Sequence, residues 1–198
     1  MQAMEREDRG AAMAASVVRA ARSLGVSAEG IRAVSSAHAL AMVPRANALR
    51  DDRHPAFLHP GRSVLILLRD VGCLDPVTLA AAAVVESEDA ELRIPPAVLH
   101  RVLGTDVSAL AAAVPMPGGE GLAYDLVIAD ERVRLVALAE RLDQLRHGHL
   151  RAADHAWRAA VHREAMAVYL PMAHRTHPRL AQRYEHWGRT FARRLARE

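Results

Sequence analysis

The chain has 198 residues, enough for one domain with a full core. Apolar residues make up 51% and aromatics only 4%, which predicts a helical core of Ala, Leu and Val, and no apolar run is long enough to predict a transmembrane span. The formal charge of +3 rests on arginine alone, since the 26 basic residues include no lysine, and so small an excess does not imply nucleic-acid binding.

The first ten residues mix both signs of charge and show no secretory pattern. A single cysteine, Cys73, excludes an internal disulfide and fits a reducing cytoplasm. Apolar spacing predicts a helix from Gln2 to Leu24, stopped at Gly25. Ser27 is expected to cap a second helix that runs to about Met42 and ends before Pro44. Arg45 to Pro60 reads as loop, Ser63 to Val71 as a short helix closed by Gly72. Asp75-Pro76 opens an Ala-rich helix to about Ser87, and Pro95-Pro96 opens another to Leu103. Asp106 to Val114 is predicted helical, and Pro115 to Gly121 a loop. That glycine-rich loop follows no strand and precedes no Lys-Ser/Thr, so it is not a phosphate-binding loop. Helices are predicted over Asp125 to His147, Ala152 to Ala173 and Pro178 to Arg197. With no alternating strand pattern, the expected fold is all-α. It is read as a single domain over 1–198, with N-terminal helices in 1–44, a core in 45–150 and C-terminal helices in 151–198.

Four segments in order carry a family resemblance. They are Arg50-Asp51-Asp52-Arg53-His54-Pro55-Ala56-Phe57-Leu58-His59-Pro60, the Ala-rich helix through Val85-Glu86, Asp130-Glu131-Arg132-Val133-Arg134-Leu135 on to Arg146, and Glu164 to Arg175 with its Tyr169-Leu170-Pro171-Met172-Ala173-His174-Arg175. The third is the most specific: it resembles Asp-x-Arg-Val-x-Leu-x-Lys-Leu-Ala-Asp-Arg-Leu-His-Asn-x-Arg with no gap, Leu142-Asp143-Gln144 standing in place of Leu-His-Asn. Together they resemble the HD-type hydrolase domain of Rel/SpoT proteins, which implies an HD-like helical bundle and ties the chain to the stringent response. The fourth segment is similar to the helix that leads towards the synthetase domain of long Rel proteins. The chain ends soon after it, at residue 198, so no synthetase is expected.

The resemblance implies Mn²⁺-dependent removal of the 3′-pyrophosphate from guanosine tetra- or pentaphosphate, with a metal held by two histidines and two aspartates. His59 matches the first ligand, while Val85 stands for the second histidine, Glu86 for one aspartate and Glu140 for the other. A shift of one residue puts Val84-Val85 at the His-Asp pair instead, and the histidine is lost in either register. His59, Glu86 and Glu140 are the remaining candidates for a weak Mn²⁺ site. Glu88 and Asp89 resemble the acidic pair that orients the water. The arginine that packs on the guanine corresponds to Arg50 or Arg53, the pocket asparagine to Gln144, and the motif's last arginine to Arg146.

Each of these residues also has a structural reading. His59 can serve as a loop histidine, Glu140 can pair with Arg141 or Arg50, and Glu88 and Asp89 can be solvated charges at a helix end. The spaced histidines His147, His149, His155, His162, His174, His177 and His186 lack metal-ligand spacing on one helix. Tyr184, Trp187, Phe191 and Leu195 form a helical stripe for the core or a dimer seam, beside an arginine-rich face. The expected function is therefore a degenerate Rel/SpoT-like pseudoenzyme that binds guanosine tetraphosphate, another phosphorylated nucleotide, or a protein partner. One alternative is a metal-dependent pyrophosphohydrolase with a rearranged ligand set. The other is a structural or oligomerisation module whose old site is filled by Val84, Val85 and leucines.

Overall fold

The computed structural model describes residues 2–49, 51–148 and 155–197, with side chains from residue 9 onward. Among them the fold is all-α, with no strand. No described helix is long and apolar enough to cross a membrane.

The first two helices, α1 (Gln2–Ser23) and α2 (Ala28–Ala48), are separated at Gly25, and Ser27 caps α2 by accepting from the Gly30 amide at 3.0 Å. Contrary to expectation, α2 does not stop before Pro44. It runs four residues further, across the boundary expected at residue 45. The turn after Pro44 is tied by Arg45, whose guanidinium donates to the Ala41 and Ala56 carbonyls, each at 2.8 Å. Tertiary anchoring thus outweighs the local cost of a proline inside a helix.

Helix α3 (His59–Ile66) starts earlier than predicted, at His59-Pro60, and continues as a π turn, Leu67–Val71, closed by Gly72 at φ 72°. Only a residue tolerant of positive φ closes the chain there. Helix α4 (Pro76–Val84) opens as the sequence predicts: Asp75 accepts from the Thr78 amide at 3.0 Å and Pro76 occupies the first position. It ends at Val84 rather than near Ser87, because the Glu86 carboxylate accepts the amides of Glu88 and Asp89, both at 3.1 Å, and closes a loop instead of a helical turn.

A 3₁₀ turn (Ala90–Leu92), α5 (Pro96–Leu103) and α6 (Thr105–Ala112) follow. The predicted helix from Asp125 to His147 is two helices, α7 (Leu122–Ile128) and α8 (Glu131–His147). Asp130 breaks it by capping α8, its carboxylate accepting from the Arg132 amide at 2.7 Å. Next come α9 (His155–Glu164), a π turn (Ala165–Tyr169), α10 (Leu170–Thr176) and α11 (Pro178–Leu195).

The core is centred on α4 and α8. Helix α4 is buried from Thr78 to Val84 and packs against α2, α3, α6 and α8. Its four consecutive alanines, Ala80 to Ala83, let the neighbouring backbones approach closely. Helix α11 lays Tyr184, Trp187 and Phe191 against the core, with Tyr184 Oη donating to Leu138 O and Trp187 Nε1 to Leu145 O, both at 2.9 Å. The aromatic stripe is therefore core, and Leu195 packs at its edge.

Candidate functional site

Where the resemblance places a metal, the structure holds a buried cluster of ion pairs. Helix α8 presents Glu140, Asp143 and Gln144 on one face, as its helical spacing requires. Facing them are His59 from the first turn of α3, Arg62 one turn on, and the loop after α4 with Glu86 and Ser87. His59 Nδ1 lies 2.8 Å from Asp143 Oδ2, and its Nε2 lies 3.8 Å from Glu140 Oε1. Arg62 reaches both Asp143 oxygens, at 2.8 and 3.0 Å, and also the Pro55 carbonyl. Glu140 accepts from the Ser87 amide at 3.0 Å, the Ser87 hydroxyl at 2.8 Å and the Gln144 side-chain amide.

Glu86, at the tip of the loop, meets Arg45 of α2. Their charges are 2.6 Å apart and both side chains are almost wholly buried. Three carboxylates thus face two guanidinium groups and one imidazole. Burial alone would push the His59 imidazole down, but the hydrogen bond and charge of Asp143, with Glu140 and Glu86, raise it above its usual value. Burial lifts Glu140 to about 7 against the pull of His59 and Ser87. Asp143 is also buried, yet its bonds to His59 and Arg62 overcome that and hold it down at about 2.

Does this set fit Mn²⁺? His59 Nε2 is buried without a hydrogen-bond partner, as an unused ligand nitrogen would be. Three of the four carboxylate oxygens of Glu86 and Glu140 are already engaged. One Glu86 oxygen is held by Arg45 and the other by two backbone amides, while Glu140 Oε1 already accepts three donors. A divalent ion beside Arg45 would add two positive charges to a cluster already balanced. The cavity next to His59 measures about 10 Å³, room for one water at most. Among the described residues no group of three His, Cys, Asp or Glu is placed to hold a metal. The residues present do not fit the ion.

The other predicted site residues scatter. Glu88 pairs with Arg141 at 2.8 Å, and Asp89 caps the 3₁₀ turn through the Glu91 amide at 3.2 Å; neither lines the cavity beside His59. Arg53 is exposed and also absent from that lining, whereas Gln144 does line it. Arg146 is exposed and lines a larger groove that shares Arg62, Asp143 and His147 with that cavity. Arg50 and His149 lie outside the described residues. Glu140 does not pair with Arg141, which holds Glu88 and Glu164 instead. Val84 and Val85 do not fill the space beside His59: both are buried in the main core and neither lines that cavity.

Sequence reasoning missed Arg45, Arg62 and Ser87 as site residues, and treated Asp143 only as a departure from the family's histidine. One signal was legible. Asp143 stands one turn from Glu140 on a helix whose buried positions are mostly apolar, and a carboxylate there needs a buried cation. No family model and no curated protein matches the chain.

Proposed function

We propose that the chain is a degenerate HD-type domain of Rel/SpoT ancestry that works by binding rather than by hydrolysis. The observation that carries this reading is the Arg45–Glu86 ion pair at 2.6 Å, fully buried beside His59 and Glu140. A guanidinium supplies the positive charge that a metal would bring, and it cannot deprotonate and offers no open coordination position for an attacking water. The motifs that resemble the family favour a phosphorylated nucleotide as the ligand.

The reading is tested by titrating the protein with Mn²⁺ in a calorimeter, then with guanosine tetraphosphate with and without the metal, while pyrophosphate release is followed. The expected result is no saturable Mn²⁺ binding in the micromolar range and no pyrophosphate released. Micromolar Mn²⁺ binding together with release would overturn it and make the chain an enzyme with a rearranged ligand set.

A further inference from the structure

The small positive excess of the whole chain conceals an uneven distribution. Residues 171–197 carry seven arginines and a single carboxylate, Glu185, while the rest of the chain carries 19 arginines against 22 carboxylates. Helix α11 gathers most of that charge on one side. Its residues Leu180, Ala181, Tyr184, Trp187 and Phe191 are buried, which turns Arg179, Arg183, Arg189, Arg193 and Arg194 outward, all of them exposed. At 3.6 residues per turn these five lie within about 140° of the helix surface and along about 23 Å of its length. Arg197, also exposed, follows just past the helix end.

Little of this charge is neutralised within the fold. Arg183 is held by Asp70, and Arg189 lies 3.8 Å from Glu185. Among the described residues no carboxylate stands at ion-pair distance from Arg179, Arg193, Arg194 or Arg197. Arg179 reaches the Gln182 side chain at 3.4 Å, and Arg193 the Arg189 carbonyl at 3.3 Å. The stripe is narrow, because Asp70 stands along one edge and Glu185, paired with His174 at 3.1 Å, along the other.

The residues on this face select among the polyanions that could meet it. A protein partner needs apolar or aromatic anchors, since exposed ion pairs alone add little, and the stripe offers none. Insertion into a membrane needs a free apolar face, and that of α11 is spent on the core. A single strand needs rings on which its bases can stack, whereas Tyr184, Trp187 and Phe191 are buried. A nucleic-acid duplex needs none of these, because phosphate contacts and the counterions they release supply its non-specific affinity. A row of phosphates also matches a stripe one helix wide with carboxylates on both flanks.

We infer that the outer face of α11 is a docking surface for a nucleic-acid duplex, gripped through its phosphate backbone by Arg179, Arg193, Arg194 and Arg197 without reading its sequence. None of these arginines belongs to the buried cluster around His59, so the inference stands apart from the reading of that centre.

The full chain is titrated into a fluorescein-labelled duplex of about 20 base pairs, and anisotropy is followed from about 50 to 200 mM salt. Saturable binding in the micromolar range is expected at low salt, equal for two unrelated sequences. The logarithm of the association constant should fall against that of the salt concentration with a slope of about −3 to −4, as about three to four neutralised phosphates require. Arg179→Ala, Arg193→Ala and Arg194→Ala, all at exposed positions, are each expected to reduce that slope by about one. Arg101→Ala on α5, also exposed, should leave it unchanged. Phosphatidylserine vesicles, an oligo-glutamate peptide and a single strand of the same length are compared with the duplex. The inference is overturned if the duplex does not bind, if any of the other three binds more tightly, or if the slope is the same in the α11 variants as in the parent.

Discussion

Glu140 and Asp143 lie one turn apart on the same face of α8 and burial pushes both carboxyls up, yet their partners leave them shifted in opposite directions. Asp143 has Arg62 and His59 as partners and falls to about 2, while Glu140 shares His59 but has no guanidinium of its own and rises to about 7. A carboxyl whose folded value is depressed contributes stability that is present above its usual 3.8 and lost as pH falls towards 2. A carboxyl whose folded value is raised does the reverse: its contribution is complete below 4.5 and disappears as pH climbs through about 7. The rise at Glu140 corresponds to about 3 kcal/mol between acid and neutral solution. His59, also raised, acts in the same sense. Burial lowers His38 to about 4, which works the other way as pH rises to 6.5, so thermal unfolding of the parent is expected to move to lower temperature between pH 6.5 and 8. Glu140→Gln should flatten that slope and exceed the parent at pH 8. An unchanged slope would mean that Glu140 is ionised throughout. Of this cluster His59, Glu86 and Glu140 were legible in the sequence, because motif spacing carries them. Arg45 and Arg62 were not, since nothing local distinguishes a buried arginine among the chain's many, and their partners stand 41 and 81 residues away.

Helix starts were easier to read than helix ends. Ser27 and Asp75 satisfy orphan amides with their own side chains, a bond encoded within three residues. Replacing Asp75 by alanine removes its bonds to the Val77 and Thr78 amides and to the Thr78 hydroxyl. The expected loss is about 1 kcal/mol, read as a lower denaturation midpoint with an unchanged slope. A loss near zero would show that α4 is held by its packing alone. The ends depended on partners remote in sequence. Helix α2 passes Pro44 because Arg45 finds Ala56 and Glu86, and α4 stops early because Glu86 folds back on the loop it begins. Asp130 is the exception: a capping residue in plain view, overlooked because the apolar spacing on either side of it runs on without a break.

At the scale of the molecule, α11 is what makes the C-terminal third part of the same fold. It contacts α8, α9 and α10, and also the π turn after α3, where Arg183 meets Asp70 across 113 residues of sequence. Tyr184, Trp187 and Phe191 are buried by this docking, each contributing roughly 1.5–3 kcal/mol relative to exposure. The Arg183–Asp70 pair is exposed on the arginine side and contributes little by comparison. Removing residues 178–198 would uncover the Leu138 and Leu145 carbonyls together with an apolar strip along α8. The summed loss approaches the whole stability of a typical domain, about 5–15 kcal/mol. The truncated chain is therefore expected to lose its single cooperative unfolding transition and to bind a hydrophobic dye at neutral pH, whereas Arg183→Ala should unfold within about 1 kcal/mol of the parent. If the truncated chain still melts cooperatively, α1 to α10 form a self-sufficient unit and α11 is an accessory layer. The groove lined by Arg62, Asp70, Arg146 and Arg183 would then be a junction between two separable parts instead of a fixed cleft in one core.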